Sequence, residues 1–346
     1  MKQSITLLCT LCLVIFAACG GQAPAPTDSP QPKAEGAAKT DAAKADAPKA
    51  EAAKKDSYTI AFSQCNSAEP YRAAQNKIME KEIAKYPDCK LVIQDAQQDN
   101  AKQIAQIENF IQQKVDVIIV APNEAAPLTA AVKKAKDSGI KVVCLERDLV
   151  EPVYDIFVGA NNAKIGEMAG NYIGTYINDK KIENAVVVEM RGLLGTKPQE
   201  ERHAGAIAVL EKMPNVKVIS DVGNWIQSEA QKRMDTILQA NPKIDVVYAH
   251  NDPMAVGCYL AAKNAGRENE MIFVGVDALG GPDGGIKHVL DGRLACTFYY
   301  PTCAADGLKY AVALAHGEAV PEGLILNPEQ ITAENAQQAY EKYTVE

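Results

Sequence analysis

Val246-Val247-Tyr248-Ala249-His250-Asn251-Asp252-Pro253 carries two structural signals within one short stretch. Val246–His250 is an apolar run closed by a histidine, the pattern of a strand covered on both faces. Asp252-Pro253 then reads as a helix start, with aspartate as N-cap and proline at the first helical position. Asn251 falls between them, at the carboxyl end of a strand. In doubly wound α/β sheets that edge is where ligands sit, so Asn251 is expected to face a ligand.

The same pattern repeats in both directions. Upstream strand candidates are Tyr58–Ser63, Lys90–Asp95, Val115–Ala121, Lys141–Leu145, Tyr154–Gly159, Ala185–Met190 and Val216–Val222, and downstream ones are Met271–Asp277 and Leu294–Tyr300. Amphipathic stretches such as Pro70–Lys85, Ala101–Gln113, Ala125–Ser138 and Ala163–Ile177 lie between them. Repeated strand–helix–strand units imply parallel sheets in an α/β fold. Ten strands are too many for one comfortable sheet, so two doubly wound lobes are expected, with the first break near Gly159–Asn162.

The front of the chain differs. Ile5–Ala18 is an unbroken apolar or small run, shorter than the roughly 20 residues a membrane span needs and suited to an export signal. It ends in Phe16-Ala17-Ala18-Cys19-Gly20, which resembles a bacterial lipobox. Residues 1–18 therefore read as a lipoprotein signal peptide and Cys19 as the acylated residue. Residues 20–57 contain no Val, Ile, Leu, Met, Phe, Tyr or Trp. Such a segment has nothing to bury, so residues 19–57 read as a disordered Ala/Lys/Pro tether. The expected location is extracytoplasmic, anchored to a membrane through Cys19.

Without residues 1–18 the chain keeps 35 of its 36 basic side chains and all 44 acidic ones, a net charge of −9. That sign repels nucleic acid and anionic membrane surface. Cys65, Cys89, Cys144, Cys258, Cys296 and Cys303 remain beyond the front segment, none in a CxxC, and mostly free thiols are expected. The four histidines show no metal spacing, so no metal is expected. Gly280–Gly285 lacks GxGxxG spacing, no Walker A pattern occurs, and neither a GxSxG elbow nor a paired catalytic set is visible. No cofactor and no enzymatic activity are expected. Gly166, Gly170 and Gly174 read as contacts for close helix–sheet packing.

The remaining signal is what the strand ends deliver. They lead to Glu69, Tyr71 and Arg72, to Glu146 and Arg147, to Arg202, to Trp225, to Asn251, to Asp277 and to Tyr300. Carboxylates and amides accept hydrogen bonds from hydroxyls, guanidinium groups donate in fixed forks, and flat aromatics cover C–H faces. That is the chemistry of sugar recognition.

In Val247–Met254, Val274-Gly275-Val276-Asp277 and Leu145-Glu146-Arg147, the chain resembles the ribose/galactose-type periplasmic sugar-binding proteins of ABC transporters. Phe62-Ser63-Gln64, Glu69–Arg72 and Ala121-Pro122 most resemble the galactofuranose-binding branch. The resemblance covers roughly Tyr58 onward. It implies the type I periplasmic-binding-protein fold, in which the chain crosses three times between lobes. Residues 58–160 plus 301–328 would form the N-terminal lobe and 161–300 plus 329–346 the C-terminal one.

It further implies that Glu69, Tyr71, Arg72, Glu146, Arg147, Arg202, Trp225, Asn251, Asp277 and Tyr300 contact the sugar. A monomer would deliver that sugar to a membrane permease or, alternatively, report it to a chemoreceptor or histidine kinase. Glu146 stands where the family usually has aspartate. Ala121 and Ala160 stand where ribose binders carry polar residues, and Tyr299-Tyr300-Pro301 replaces a glutamine-bearing segment. These departures point to another pentose, a hexose or a furanose form.

Overall fold

The computed structural model of the chain describes residues 55–344. The expected signal, Cys19 and all but the last residues of the tether lie outside them. Within them β1 (Tyr58–Gln64), β3 (Val117–Val120), β4 (Lys141–Leu145) and β5 (Ile156–Ala160) form the middle of a six-stranded sheet. Its edges are β2 (Cys89–Asp95) and β11 (Gly323–Leu326), giving the order β11-β5-β4-β3-β1-β2, with every pairing parallel. The helices α1 (Pro70–Ile83), α2 (Asn100–Gln113), α3 (Ala125–Asp137) and α9 (Ala304–Ala315) accompany it.

A second six-stranded sheet has the order β12-β10-β9-β8-β6-β7. It is built from β6 (Ala185–Arg191), β7 (Val216–Val222), β8 (Val246–Ala249), β9 (Ile272–Val274), β10 (Cys296–Tyr299) and β12 (Glu329–Thr332). Only β12 runs antiparallel, against β10. Its helices are α4 (Asn162–Asp179), α5 (Lys197–Leu210), α6 (Gln227–Ala240), α7 (Asp252–Asn264), α8 (Gly285–Leu290) and α10 (Ala336–Tyr343). The chain passes between the sheets after β5, after β10 and after β11.

Both sheets are covered on both faces, as continuous apolar strands require. In β8 the period-2 alternation of strand side chains sends Val246 and Tyr248 into one core cluster and Val247 and Ala249 into the other. Edge strands β11 and β12 are four residues each and half-exposed, with Ile325 52% accessible. Four-residue runs beside Pro321 and Pro328 carry too little periodicity to be read as strands from the sequence.

The glycines of α4 serve helix–helix packing rather than the expected helix–sheet packing. A methyl group on Gly166 would lie 2.3 Å from the Arg202 carbonyl oxygen of α5, and one on Gly205 2.4 Å from that of Ala163. The two helices therefore touch backbone to backbone. No helix among the described residues is long and apolar enough to cross a membrane. The six described cysteines are free, and all but the half-buried Cys89 are buried.

Candidate ligand-binding site

The carboxyl ends of the two sheets face one another across a narrow cavity. Glu69, Tyr71, Arg72, Glu146, Arg147, Arg202, Trp225, Asn251, Asp277 and Tyr300 all line it, together with Pro198. Every one of the ten sequence candidates is thus brought to one place. Pro198 was missed, because a proline in the first turn of α5 reads only as a helix starter. The cavity volume is about 20 Å³. That is room for about one water. The rims touch: Ala125 N donates to the Gly195 carbonyl at 3.1 Å, and Gln98 Nε2 to that of Asn224 at 3.2 Å.

On the first-sheet side, Glu146 follows β4 with φ +66° and is 3% exposed. Arg72 Nη1 donates to Glu146 Oε2 at 2.6 Å, and Arg147 Nε stands 3.7 Å from the same oxygen. Burial raises the Glu146 carboxyl, but Arg72 and then Arg147 outweigh it and hold it below the ordinary carboxylate range. Arg147 Nη1 is fixed by the Asn123 carbonyl at 3.1 Å. Tyr71 donates to the Pro301 carbonyl at 2.7 Å and stacks on Tyr300. Glu69 accepts from Asn66 Nδ2.

On the other side the α4–α5 contact matters directly. It brings Asn162 Oδ1 within 3.0 Å of Arg202 Nε, while Arg202 Nη1 donates to the His250 carbonyl. The Arg202 guanidinium lies 4.5 Å from the Tyr300 ring centre. Trp225 lies at φ +71° over Gly192, whose hydrogen leaves room for the indole; a methyl there would sit 2.1 Å from it. Arg147 and Arg202 approach that ring at 5.6 and 5.7 Å from its centre. Trp225 Nε1, Arg72 Nε and Arg147 Nε are buried donors without a hydrogen-bond partner among the described residues.

The helix start after β8 differs by one residue from its sequence reading. Asn251, not Asp252, is the N-cap of α7, its Oδ1 accepting from Met254 N at 3.0 Å. Its Nδ2 donates to the Trp225 carbonyl at 3.1 Å. Asn251 lines the cavity with both ends of its amide already engaged, keeping one lone pair and one hydrogen to offer. Asp252, at the first helical position, is buried against Thr297 Oγ1 at 2.6 Å and Ala278 N at 2.7 Å.

Beneath the cavity floor, Glu189 of β6 accepts from His250 Nε2 at 3.0 Å and from Ser220 Oγ at 2.6 Å, with His203 Nδ1 at 2.9 Å. Burial would raise this carboxyl, but the His250 hydrogen bond and charge, then Ser220 and His203, bring it down to about 2. Burial, with Arg202 and Arg191 adding to it, pushes the His250 imidazole below its ordinary value despite Glu189. Neither His250 nor Glu189 lines the cavity.

Residues 60–318 match the family model described as a periplasmic binding protein domain. The chain belongs to the periplasmic binding protein family. The family is one of solute-binding proteins, and this periplasmic binding protein is not an enzyme. Its fold is the two-sheet α/β arrangement of the type I members.

The ribose import binding protein RbsB of Bacillus subtilis is 28% identical over 297 residues, covering 86% of this chain and 87% of its own. The galactofuranose-binding protein YtfQ of Escherichia coli is 32% identical over 246 residues, covering 68% and 74%. Among solved structures, the fructose-binding periplasmic domain of a hybrid two-component system superposes with a TM-score of 0.78. It is 37% identical and covers 82% of this chain and 94% of its own. The homologues are sugar-binding periplasmic or extracytoplasmic proteins of ABC transporters, and the hybrid two-component domain shows the same fold in a sensor.

Proposed function

We propose that this protein captures one small neutral sugar (a pentose, a hexose or a furanose form) between its two lobes and hands it to an ABC-transporter permease. The observation that carries this reading is the balance of the cavity. Three guanidinium groups (Arg72, Arg147, Arg202) meet three carboxyl groups (Glu69, Glu146, Asp277), beside an unpaired indole N–H. Among the described residues no group donates a hydrogen bond to the Asp277 carboxyl at the cavity wall, so a ligand hydroxyl would fill that role. Guanidinium donors set against carboxyl acceptors, with hydrogen-bonding groups to spare, suit a neutral polyhydroxyl ring.

The ten lining residues would be the ligand contacts. Because the cavity now has room for about one water, a ring can enter only when the lobes part. Residues 58–160 with 301–328 would move against 161–300 with 329–346, hinged at the three crossings. Ligand contacts made by both lobes would then favour the closed form by their differential binding energy. Lipid on Cys19 and the tether 19–57 would keep a monomer at high local concentration beside its permease.

Calorimetry against pentoses, hexoses and polyols tests the reading. One sugar is expected to bind at micromolar Kd or tighter and to lose at least a hundredfold in affinity in Arg147→Ala and in Asp277→Ala. Silence across the panel, or binding indifferent to both substitutions, removes the assigned site.

The likeness to the hybrid two-component domain favours a second reading, in which the closed form reports to a chemoreceptor or histidine kinase. Capture of the sugar-loaded protein by a permease in reconstituted membranes, rather than by a kinase, separates the two.

A further inference from the structure

Outside the sugar cavity, the first-sheet lobe carries a second group of chemically reactive side chains that its proposed function does not use. Asp88 and Cys89 stand where the turn after α1 enters β2, and His316 caps the carboxyl end of α9. His316 Nε2 lies 2.8 Å from Asp88 Oδ2, across 228 residues of sequence. The donor atoms of Asp88, Cys89 and His316 all fall within 4.8 Å of one another, and all three residues are part-buried. Tyr58 packs edge-on against the imidazole with ring centres 5.0 Å apart, which restrains the plane of His316. Cys89 is only half-buried and also borders an open depression with Tyr86 and Pro87.

A surface His–Asp pair by itself is an ordinary ion pair. The thiol changes the chemistry, because a sulfur, an imidazole nitrogen and a carboxylate oxygen now share one small volume. Calcium and magnesium take oxygen ligands, whereas this mixed set suits a borderline-soft ion. Zinc binds such ligands at roughly 2.0–2.3 Å, so tetrahedral ligands lie roughly 3.3–3.8 Å apart. A spread of up to 4.8 Å closes to that by small side-chain rotations, because Asp88 and His316 both keep solvent on one side.

We propose that Asp88, Cys89 and His316 form a binding site for a borderline-soft divalent transition ion such as zinc, with water in the fourth position. The bound ion ties the start of β2 to the end of α9. It stiffens the lobe independently of the sugar. The distance in sequence explains why histidine spacing gave no hint of it.

The test titrates the purified mature chain with Co²⁺ under anaerobic, reducing conditions. It is prepared without residues 1–18 and with Cys19 acylated, so that neither Cys9, Cys12 nor Cys19 offers a thiol. One equivalent is expected to produce a near-ultraviolet thiolate-to-cobalt charge-transfer band and tetrahedral visible bands, both bleached by Zn²⁺. Cys89→Ser removes the charge-transfer band, and His316→Gln weakens binding at least tenfold. In the unsubstituted protein Zn²⁺ also slows alkylation of the Cys89 peptide by iodoacetamide at least tenfold, a reading that needs no variant to fold. The five other described cysteines are buried and do not compete for this reagent. A charge-transfer band that survives Cys89→Ser, no thiolate band at one equivalent, or alkylation of Cys89 indifferent to Zn²⁺ overturns the proposal.

Discussion

Asp252 pins the backbone that presents Asp277. Asp252 Oδ2 accepts from Ala278 N at 2.7 Å, and its Oδ1 accepts from Thr297 Oγ1 at 2.6 Å. Asp277 itself is held at φ +118° with only 5% of its surface exposed. A methyl on Gly275 or Gly285 would lie 2.1 or 1.8 Å from the Asp252 carboxylate, so bare glycine backbone makes its burial possible. The outcome is a carboxyl aimed into the cavity at a cost to the fold. Burial, then the neighbouring Asp252, pushes the Asp277 carboxyl well above its ordinary range against the opposing Arg202.

Asp277→Asn is therefore expected to trade affinity for stability. Asparagine is among the residues that best tolerate positive φ. The sign follows from linkage: an acid whose folded pKa lies above its unfolded value of 3.8 costs stability as pH rises through that interval. The sugar-free variant should melt higher than the parent at pH 8, with the difference shrinking toward pH 4, while sugar affinity falls at least a hundredfold. An unchanged melting difference between pH 4 and pH 8 would show that Asp277 is not held against ionisation.

Trp225 is the sole tryptophan, so its emission reports on the cavity alone. Its Nε1 has no hydrogen-bond partner among the described residues, and Phe in its place keeps an aromatic face while removing that donor. Trp225→Phe should leave the melting temperature of the sugar-free protein nearly unchanged. It should weaken sugar binding by about five- to thirtyfold, as loss of one hydrogen bond worth about 1–2 kcal/mol implies. Gly192→Ala drives a methyl into the indole and should shift Trp225 emission even without sugar. Full affinity in both variants would make the indole a packing group only.

What the sequence disclosed followed from chemistry that is local along the chain. Continuous apolar strands followed by planar polar residues marked both the sheets and the edge where the ten residues gather, because strand period and burial are written into consecutive positions. Asn251 and Asp252 were read one place out of register, since either residue can cap a helix and only the tertiary partners Thr297 and Ala278 decide. Asn162, which orients Arg202, and Asn123, which orients Arg147, carry no local mark; their role exists only after α4 meets α5 and β3 meets β4. The Glu189–His250 pair joins β6 to the residue just after β8, 61 positions away, and was equally invisible.

That Glu189 pair supplies a pH prediction. Its carboxyl stands at about 2 in the folded chain against an ordinary 4.5. A folded pKa below the unfolded one gives stability that is complete above pH 4.5 and is lost as pH falls toward 2. Two and a half pH units correspond to about 3 kcal/mol. Urea midpoints followed from pH 6 to pH 2 should fall more steeply in the parent than in Glu189→Gln, by up to about that amount. Parallel acid limbs would place the acid sensitivity elsewhere.

The Arg72–Glu146 pair separates stability from binding. Both side chains are 3% exposed and 2.6 Å apart. Removing one partner of a buried pair leaves the other charge without compensation and typically costs about 3–5 kcal/mol, whereas replacing both by apolar groups is often close to neutral. Glu146→Leu alone should therefore lower the urea midpoint sharply, because Arg72 and Arg147 both lose their counter-charge. Arg72→Leu combined with Glu146→Leu should recover much of that loss, moderated by Arg147, which still faces the vacated position at 3.7 Å. Sugar binding should be lost in the single and in the double variant alike, because no apolar side chain replaces the donors and acceptors. A double variant as unstable as the single one would show that the pair matters for packing rather than charge, and a double variant that still binds sugar would take both residues out of the site.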